Sequence, residues 1–314
     1  MRADWRSFPP TANCISGRGW LIPTQVRPPK RNESECKGKA GTERRSRPRR
    51  NGLVLLLGGA GGVGGCFPTV GDDGGGGAGG RIAVYYQTAD AFTGFTTSTV
   101  NGGIGGGHTG ASGTMVFVDA STDAVRISEN LDLAPDSSVS FGAVTVDDGA
   151  TLTLGGGSTL TVENDLVVTG NSTVIVEGKN VIGQVNGAGA TIKARNVEVD
   201  TGSTISADAQ GYMGGQGPGA GGSDGGAHGG SGGGYGGVGG RAGDDFNAGG
   251  AAYGDAFAPV DLGSGGGSTS AAAGRGGGAI TLNVTGTLRL DGMITANGSE
   301  GGSAPCSLAA AGGG

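Results

Sequence analysis

The acidic side chains of this chain are the residues whose type and spacing could support catalysis. Two carboxylates on one face of a fold can cleave a glycosidic bond, one as an acid and one as a base or nucleophile. The candidates all fall at predicted turns: Asp147, Asp148, Glu163, Asp165, Asp200 and Asp208. Because turn geometry alone explains an aspartate at such a position, we expect a non-catalytic protein. A carbohydrate-active β-helix enzyme, a polysaccharide lyase or hydrolase, is the alternative, with Asp147 and Asp165 as the pair to test.

The remaining chemistry-bearing residues predict no catalytic, cofactor-binding or metal site, and we expect no cofactor. His108 and His228 each lie in a glycine tract without a neighbouring Cys or His, which is typical of solvated loop histidines. The segment Gly222–Gly225 approaches a calcium-binding nonapeptide once and does not repeat it. Gly-x-Gly-x-x-Gly matches occur in the chain, but none follows a predicted strand and opens a helix, so they do not predict a dinucleotide-binding site. Four cysteines lack the spacing of metal ligands: Cys14, Cys36, Cys66 and Cys306. Five aspartates of the long glycine tract lie near one another in the sequence without a calcium-binding motif: Asp224, Asp244, Asp245, Asp255 and Asp261.

Composition and charge exclude several classes of function. The chain has 75 glycines in 314 residues and only 5% aromatic residues, so a stack of narrow layers suits it better than a core of large side chains. Residues 1–50 contain 13 lysines and arginines against 4 acids, whereas residues 51–314 contain 8 against 23. An acidic surface does not neutralise phosphates, so we expect no nucleic-acid partner. The longest apolar run, Leu53–Leu57, is too short for a membrane span.

The elements that must position any site are β-strands. Apolar residues alternate with polar ones, and they form pairs about eight residues apart, separated by Asp, Asn, Gly and Ser turns. The predicted inward pairs are Val144/Val146, Leu152/Leu154, Leu160/Val162, Leu166/Val168, Val174/Val176, Ile192/Ala194, Val197/Val199 and Ile205/Ala207. This spacing predicts an all-β fold, a parallel β-helix-like stack of short strands with long glycine-rich insertions. An antiparallel β-sandwich is the alternative.

A repeated phrase gives the chain its organisation. The strand–turn–strand pattern of 197–208 returns at 288–298, after a glycine tract at 211–278 and a strand at 279–284. Strands are also expected at 81–86 and 114–118, and we infer a fragment of a longer repeat protein. We divide the chain into a disordered basic segment (1–50), a glycine-rich tract (51–80), strands with a glycine-rich insertion (81–138), β-helix-like repeats (139–210), a second tract (211–278), closing strands (279–298) and the start of a third tract (299–314).

The glycine tracts leave two structures open. They are either mobile loops or compact polyproline-II bundles, in which backbones without side chains lie close enough to hydrogen-bond one another. Five aromatic residues spaced along the long tract are expected to pin it against the strands by packing on them: Tyr212, Tyr235, Phe246, Tyr253 and Phe257. A bundle of this kind would suit an ice- or surface-binding protein, which is a further functional alternative.

By its repeated strand phrase and its tracts, the chain resembles glycine-rich, β-helix-like repeat segments of large bacterial secreted or cell-surface proteins. The resemblance covers roughly residues 58–314, and the basic stretch 1–50 departs from it. It implies an adhesin-like structural or adhesive module, located extracellularly or at the cell surface. The partners that it implies are extracellular polysaccharides or surface proteins, and the oligomeric state stays open.

Overall fold

The computed structural model describes residues 74–89, 92–179, 187–224, 228–243, 246–268, 272–302 and 310–314. All of them belong to one compact unit, Pro48–Gly314. The basic segment 1–50, the predicted strand Leu53–Leu57 and most of the tract at 51–80 lie outside the described residues. So do the four cysteines, and the predictions about these parts of the chain stay predictions.

The described residues form fourteen β-strands and no helix, so the predicted all-β class is confirmed. No helix in this part of the chain is therefore available to cross a membrane. The strands are β1 (Arg81–Tyr86), β2 (Thr114–Asp119), β3 (Ala124–Ile127), β4 (Leu131–Leu133), β5 (Ser138–Phe141), β6 (Ala143–Val146), β7 (Thr151–Leu154), β8 (Thr159–Val168), β9 (Thr173–Val176), β10 (Ala190–Val199), β11 (Thr204–Ser206), β12 (Ile280–Val284), β13 (Leu288–Leu290) and β14 (Met293–Thr295).

The strands belong to two sheets. One sheet has nine strands in the order β1-β2-β3-β6-β8-β10-β12, with β5 beside β8 and β13 beside β10. The other has five, in the order β14-β11-β9-β7-β4. Among the named strands, pairing is parallel everywhere except between β2 and β3. The sheets are therefore parallel and mixed, and the hairpin pairing of a β-sandwich is found at one place.

The register shows how the chain returns to the same position. Val144 pairs with Leu166, 22 residues later, and Leu152 pairs with Val174 at the same offset. From β3 onward the chain passes from the large sheet to the small one and back, and each passage lays new strands beside the previous ones. The repeated phrase occupies neighbouring strands, because β13 pairs with β10 and β14 pairs with β11. We call each set of newly laid strands a layer.

Aliphatic side chains from both sheets form the core between them. Every predicted inward pair is buried, with relative exposures between 0% and 5%, so this part of the sequence analysis is confirmed. The outward neighbours along the same strands are half-buried or exposed, as in the alternating pattern of β7 and β9. At 25 cal/mol per Å² of buried apolar surface, on the order of 2 kcal/mol per side chain, these columns are the main stabilising contribution.

Sharp turns at the layer corners are formed by residues with left-handed backbone. Asp148 and Asn171 have φ angles of 60° and 61°, and Gly202 has 84°. Such values favour glycine, asparagine and aspartate, which are the residues at these turns. A buried serine follows two of them, and the backbone N–H of Ser172 donates to Oγ of Ser203 at 3.2 Å in the next layer. The turn residues thus connect consecutive layers as well as reversing the chain.

Backbone hydrogen bonds join the described glycine segments to one another. In the long tract the N–H of Gly239 donates to the oxygen of Gly250 and that of Gly250 to Gly232, both at 2.9 Å. A methyl group at Gly249 would overlap the carbonyl oxygen of Gly239. The residues near the end of the chain take part as well, since the N–H of Gly314 donates to Ser264 at 2.9 Å. These contacts are the ones expected of the bundle alternative.

The aromatic residues of the long tract differ in their roles. Tyr212 is buried at 4% exposure and packs with Leu262 and Ala279, next to β12, so the predicted pinning is confirmed there. Phe257 is fully exposed and Phe246 is 72% exposed, so pinning by these two side chains is wrong. Phe246 instead stacks on His228 within the tract, and the N–H of Phe257 donates to Oδ1 of Asp255 at 2.7 Å.

Candidate functional site

A face of ordered hydroxyl groups covers the outer side of β5, β12 and the first halves of β8 and β10. We call it the first hydroxyl face. Its residues form two columns that run across the strands, one residue from each strand in register. The columns are Ser138–Thr159–Thr191–Thr281 and Ser140–Thr161–Lys193–Asn283.

The geometry of this face follows from strand pairing. Neighbouring parallel strands lie about 4.8 Å apart, and alternate residues on one strand lie roughly 6.6 Å apart. The serines, Lys193 and Asn283 are exposed, whereas the threonines are half-buried. None of the six hydroxyl groups forms a side-chain hydrogen bond within the described part of the chain, so their donors and acceptors can serve a ligand.

A second hydroxyl face lies on the outer side of the five-stranded sheet. Thr151, Thr173 and Thr204 form one column that ends at Met293. The neighbouring column is Asp132–Thr153–Ile175–Ser206–Thr295. This face is less regular, because Ile175 and Met293 interrupt it and the hydroxyl of Thr295 is already bonded to Ser206 at 3.0 Å and to Asp208 at 2.9 Å.

A shallow groove of about 300 Å³ lies beside the first hydroxyl face, on the second halves of β8 and β10. Asp165 accepts a hydrogen bond from Nδ2 of Asn196 at 2.7 Å. Glu198 forms an ion pair with Arg289, whose guanidinium also contacts Asp291 at 2.7 Å. The register places Asp165 opposite Asn196 and Glu198 opposite Val167, so the two carboxylates lie diagonally on adjacent strands.

Asp147 does not join Asp165 in a catalytic pair. It is 8% exposed, forms an ion pair with Arg126 and accepts a bond from Oγ of Ser128 at 3.3 Å. Burial raises the pKa of Asp147, and the charge of Arg126 opposes that rise without cancelling it. Asp147 directly follows the end of β6, whereas Leu166 pairs with Val144, so Asp165 lies beside Ala143 at the start of β6. That separation is about four residues along the strand, or roughly 13 Å.

Asp148, Asp200 and Asp208 lie at layer corners, as their turn assignment implies. Glu163 and Asp165 lie inside the continuous strand β8, so the turn predicted there is wrong. Asp200 accepts a hydrogen bond from Thr169 at 2.6 Å in the preceding layer. Asp208 accepts bonds from the N–H of Asn297 at 2.5 Å and from Thr295. Burial alone would raise the pKa of Asp208, but these hydrogen bonds outweigh it and hold the pKa below its ordinary value. Asp148 and Glu163 are exposed.

The two histidines differ in their surroundings. His108 is exposed, as expected for a loop histidine. His228 is not a freely solvated side chain, because Nδ1 of its ring contacts a carboxylate oxygen of Asp224 and the ring stacks on Phe246, with centroids 4.0 Å apart. In the sequence, this contact was indicated by the spacing of four residues between Asp224 and His228. Within the described residues, no three or more His, Cys, Asp or Glu side chains converge on one point.

A second concave site lies in the long glycine tract. It is a cleft of about 410 Å³, lined by the rings of Tyr235 and Tyr253, by Asp255 and by small apolar side chains. The ring centroids are 5.2 Å apart, at an angle of 57°. The hydroxyl of Tyr253 donates to the carbonyl oxygen of Leu262 and contacts Oγ of Ser264 at 2.8 Å, which fixes the ring. Burial raises the pKa of Tyr253 to about 12, so its phenol is neutral at neutral pH.

Comparison of the chain with protein-family models, with curated proteins and with solved structures finds no significant match. Any function must therefore be argued from the residues above. The predictions from the sequence concerned the inward positions of the strands and the acids and histidines of turns and tracts, and they included neither hydroxyl face nor the cleft. The serines and threonines at alternate strand positions were the signal for the faces.

Proposed function

We propose that this chain is a non-catalytic structural and adhesive module of a secreted or cell-surface protein, which binds extracellular polysaccharide through its first hydroxyl face. The observation that carries the proposal is the two in-register columns of that face. A surface of regularly spaced groups that both donate and accept hydrogen bonds suits a ligand whose hydroxyl groups also repeat. Weak contacts repeated along one chain add up to useful affinity.

The architecture that we propose for this module is a parallel β-helix-like stack. In-register parallel pairing at a 22-residue offset, alternation between two sheets and corner turns that bond to the next layer support it. For the glycine tracts we propose polyproline-II packing, supported by glycine-to-glycine backbone hydrogen bonds between segments that belong to no strand. A stack of this kind absorbs long insertions at a corner, because each layer contacts only its neighbours.

The acidic character of residues 51–314 fits an extracellular location and a neutral or basic glycan better than an acidic one. Lys193 is the one lysine or arginine of the first hydroxyl face. Hydrogen bonding, rather than charge pairing, would then provide most of the interaction, so binding should depend little on salt.

Binding of the full chain to insoluble neutral polysaccharides, such as cellulose and chitin, tests the proposal. Replacing Thr159, Thr161 and Thr191 by valine removes hydroxyl groups and keeps the branched shape that strands favour. We expect the bound fraction to fall at least about tenfold, because each lost hydrogen bond contributes about 1 kcal/mol. The matched control is the triple valine variant of Thr151, Thr173 and Thr204 on the second face, with the thermal melt recorded for both. Undiminished binding by the first variant would refute the assignment of the face.

The runner-up is a carbohydrate-active enzyme, and the groove beside the first face is the observation that favours it. Asp165 and Glu198 lie diagonally on adjacent strands there, roughly 8 Å apart at the backbone, which is a separation compatible with an inverting pair. Release of reducing ends from the same polysaccharides is the test. Turnover that is lost in Glu198→Gln and in Asp165→Asn would replace the adhesive proposal, whereas no turnover leaves the groove as part of the surface.

A further inference from the structure

The cleft in the long glycine tract combines aromatic rings with uncompensated negative charge. Its lining includes Tyr235, Tyr253, Asp255, Ala252, Ala256 and Pro259. None of these side chains is positively charged. Phe257, fully exposed, and Val260, 60% exposed, directly follow the lining residues Ala256 and Pro259 in the chain.

A second carboxylate borders the same cleft. A methyl group added at Gly254, which lines the cleft, would lie 2.8 Å from Cε2 of Tyr235 and 3.5 Å from Oδ2 of Asp261. Asp261 is only partly exposed, and neither it nor Asp255 forms an ion pair with a lysine or arginine of the described residues. Its charge reinforces the effect of burial in raising the pKa of Tyr235.

The rings are held in place before any ligand arrives. Gly219 lets its backbone approach Tyr253 closely, since a methyl group there would lie 3.0 Å from Cε1 of that ring. The N–H of Tyr253 donates to the carbonyl oxygen of Tyr235 at 2.8 Å, which fixes the two segments to each other. A preorganised site loses less side-chain entropy on binding.

We propose that this cleft binds an alkylated ammonium group, as in choline or a methylated lysine side chain. Ring faces of tyrosine attract a cation through their quadrupole, and the two carboxylates add a favourable field. The apolar walls of Ala252, Ala256 and Pro259 favour a cation that carries methyl groups over a strongly hydrated one. The site is separate from the hydroxyl faces, and its test does not depend on polysaccharide binding.

The experiment is a titration of the full chain with choline, observed through the tyrosine ring signals in NMR spectra. We expect saturable shifts of Tyr235 and Tyr253 with a dissociation constant on the order of millimolar. The neutral isostere of choline, in which a quaternary carbon replaces the nitrogen, should bind at least about tenfold more weakly. Equal binding of the isostere, absence of choline binding, or preference for methyl glucoside would each overturn the proposal.

Variants connect the signal to the cleft. Asp261→Asn keeps the size of the side chain and should weaken choline binding about tenfold, while binding of the neutral isostere stays unchanged. Tyr253→Leu should abolish the shift of Tyr235. The controls are Asp132→Asn and Tyr85→Leu, both exposed side chains on strands outside the tract. If Asp261→Asn bound choline with wild-type affinity, the carboxylate charge would not contribute to binding, and the proposed site would be refuted.

Discussion

Gly249 illustrates why glycine is so abundant in this molecule. Its backbone lies against that of Gly239, and any side chain would overlap a carbonyl oxygen that cannot move without breaking neighbouring hydrogen bonds. Gly240, the residue directly after Gly239, has open space where a side chain would project. The same residue type is therefore obligatory at one position and replaceable at the other, and the structure distinguishes the two.

Gly249→Ala should destabilise the protein by about 2 kcal/mol or more, because an overpacked methyl group forces the backbones apart. Gly240→Ala should be neutral or slightly stabilising, since it only restricts the unfolded chain. Chemical denaturation of both variants measures the difference. Equal effects would mean that the tract is not packed as described.

Asp208 predicts a pH dependence of stability. Its folded pKa lies below the unfolded value of about 3.9. Its stabilising contribution is therefore present above the unfolded pKa and is lost as the pH falls through the folded one. We expect the free energy of unfolding to fall less between about pH 6 and pH 2 in Asp208→Asn than in the wild type. An unchanged slope in Asp208→Asn would contradict the hydrogen bonding at this corner.

At the scale of the element, one layer is the unit of stability. Strands bury their inward residues against neighbouring layers, and side chains bond from one layer to the next, as Thr169 does to Asp200 at a corner and Asn196 to Asp165 between strands. The last layer has no successor among the described residues, and Leu288 and Leu290 on β13 are 48% and 45% exposed. The inward positions of the strands from β6 to β11 are buried, so burial depends on stacking.

A substitution on β8 tests this dependence. Leu166 is fully buried between Val144 and Val197, so Leu166→Ala should cost about 2–5 kcal/mol. Val167 is the adjacent outward residue, and Val167→Ala should cost less than about 1 kcal/mol. Thermal and denaturant unfolding compare the two variants. Similar costs would contradict the assignment of Leu166 to the buried face and Val167 to the outer face.

The inward residues could be predicted because alternation is a local property, and every predicted pair is buried. The partners of the strands are a different matter. The repeat of 197–208 at 288–298 indicated adjacent layers, but the paired residues of β10 and β12 lie 90 positions apart in the chain, as Ala190 and Ile280 do, and only the fold brings them together. The tract contacts of Gly239 and Gly249 could not be predicted either, because glycine segments of the same composition give no signal for one hydrogen-bond partner over another.

At the scale of the whole molecule, rigid strand layers carry flat polar faces, and a compact glycine region carries an aromatic cleft. The flatness of the first hydroxyl face depends on unbroken register from β5 through β8 and β10 to β12. A long insertion between β11 and β12 leaves that register intact, which is the property that a repeat module with insertions requires.

The most direct test of the central claim is the dependence of affinity on ligand length. Oligosaccharides of increasing length are titrated against the full chain by calorimetry. Four strands span roughly 15 Å across the first hydroxyl face, so affinity should rise steeply until the oligosaccharide reaches that span and then level off. The valine variant of Thr159, Thr161 and Thr191 should lose the rise. Affinity that is independent of length, or unchanged in that variant, would contradict binding by the ordered hydroxyl columns.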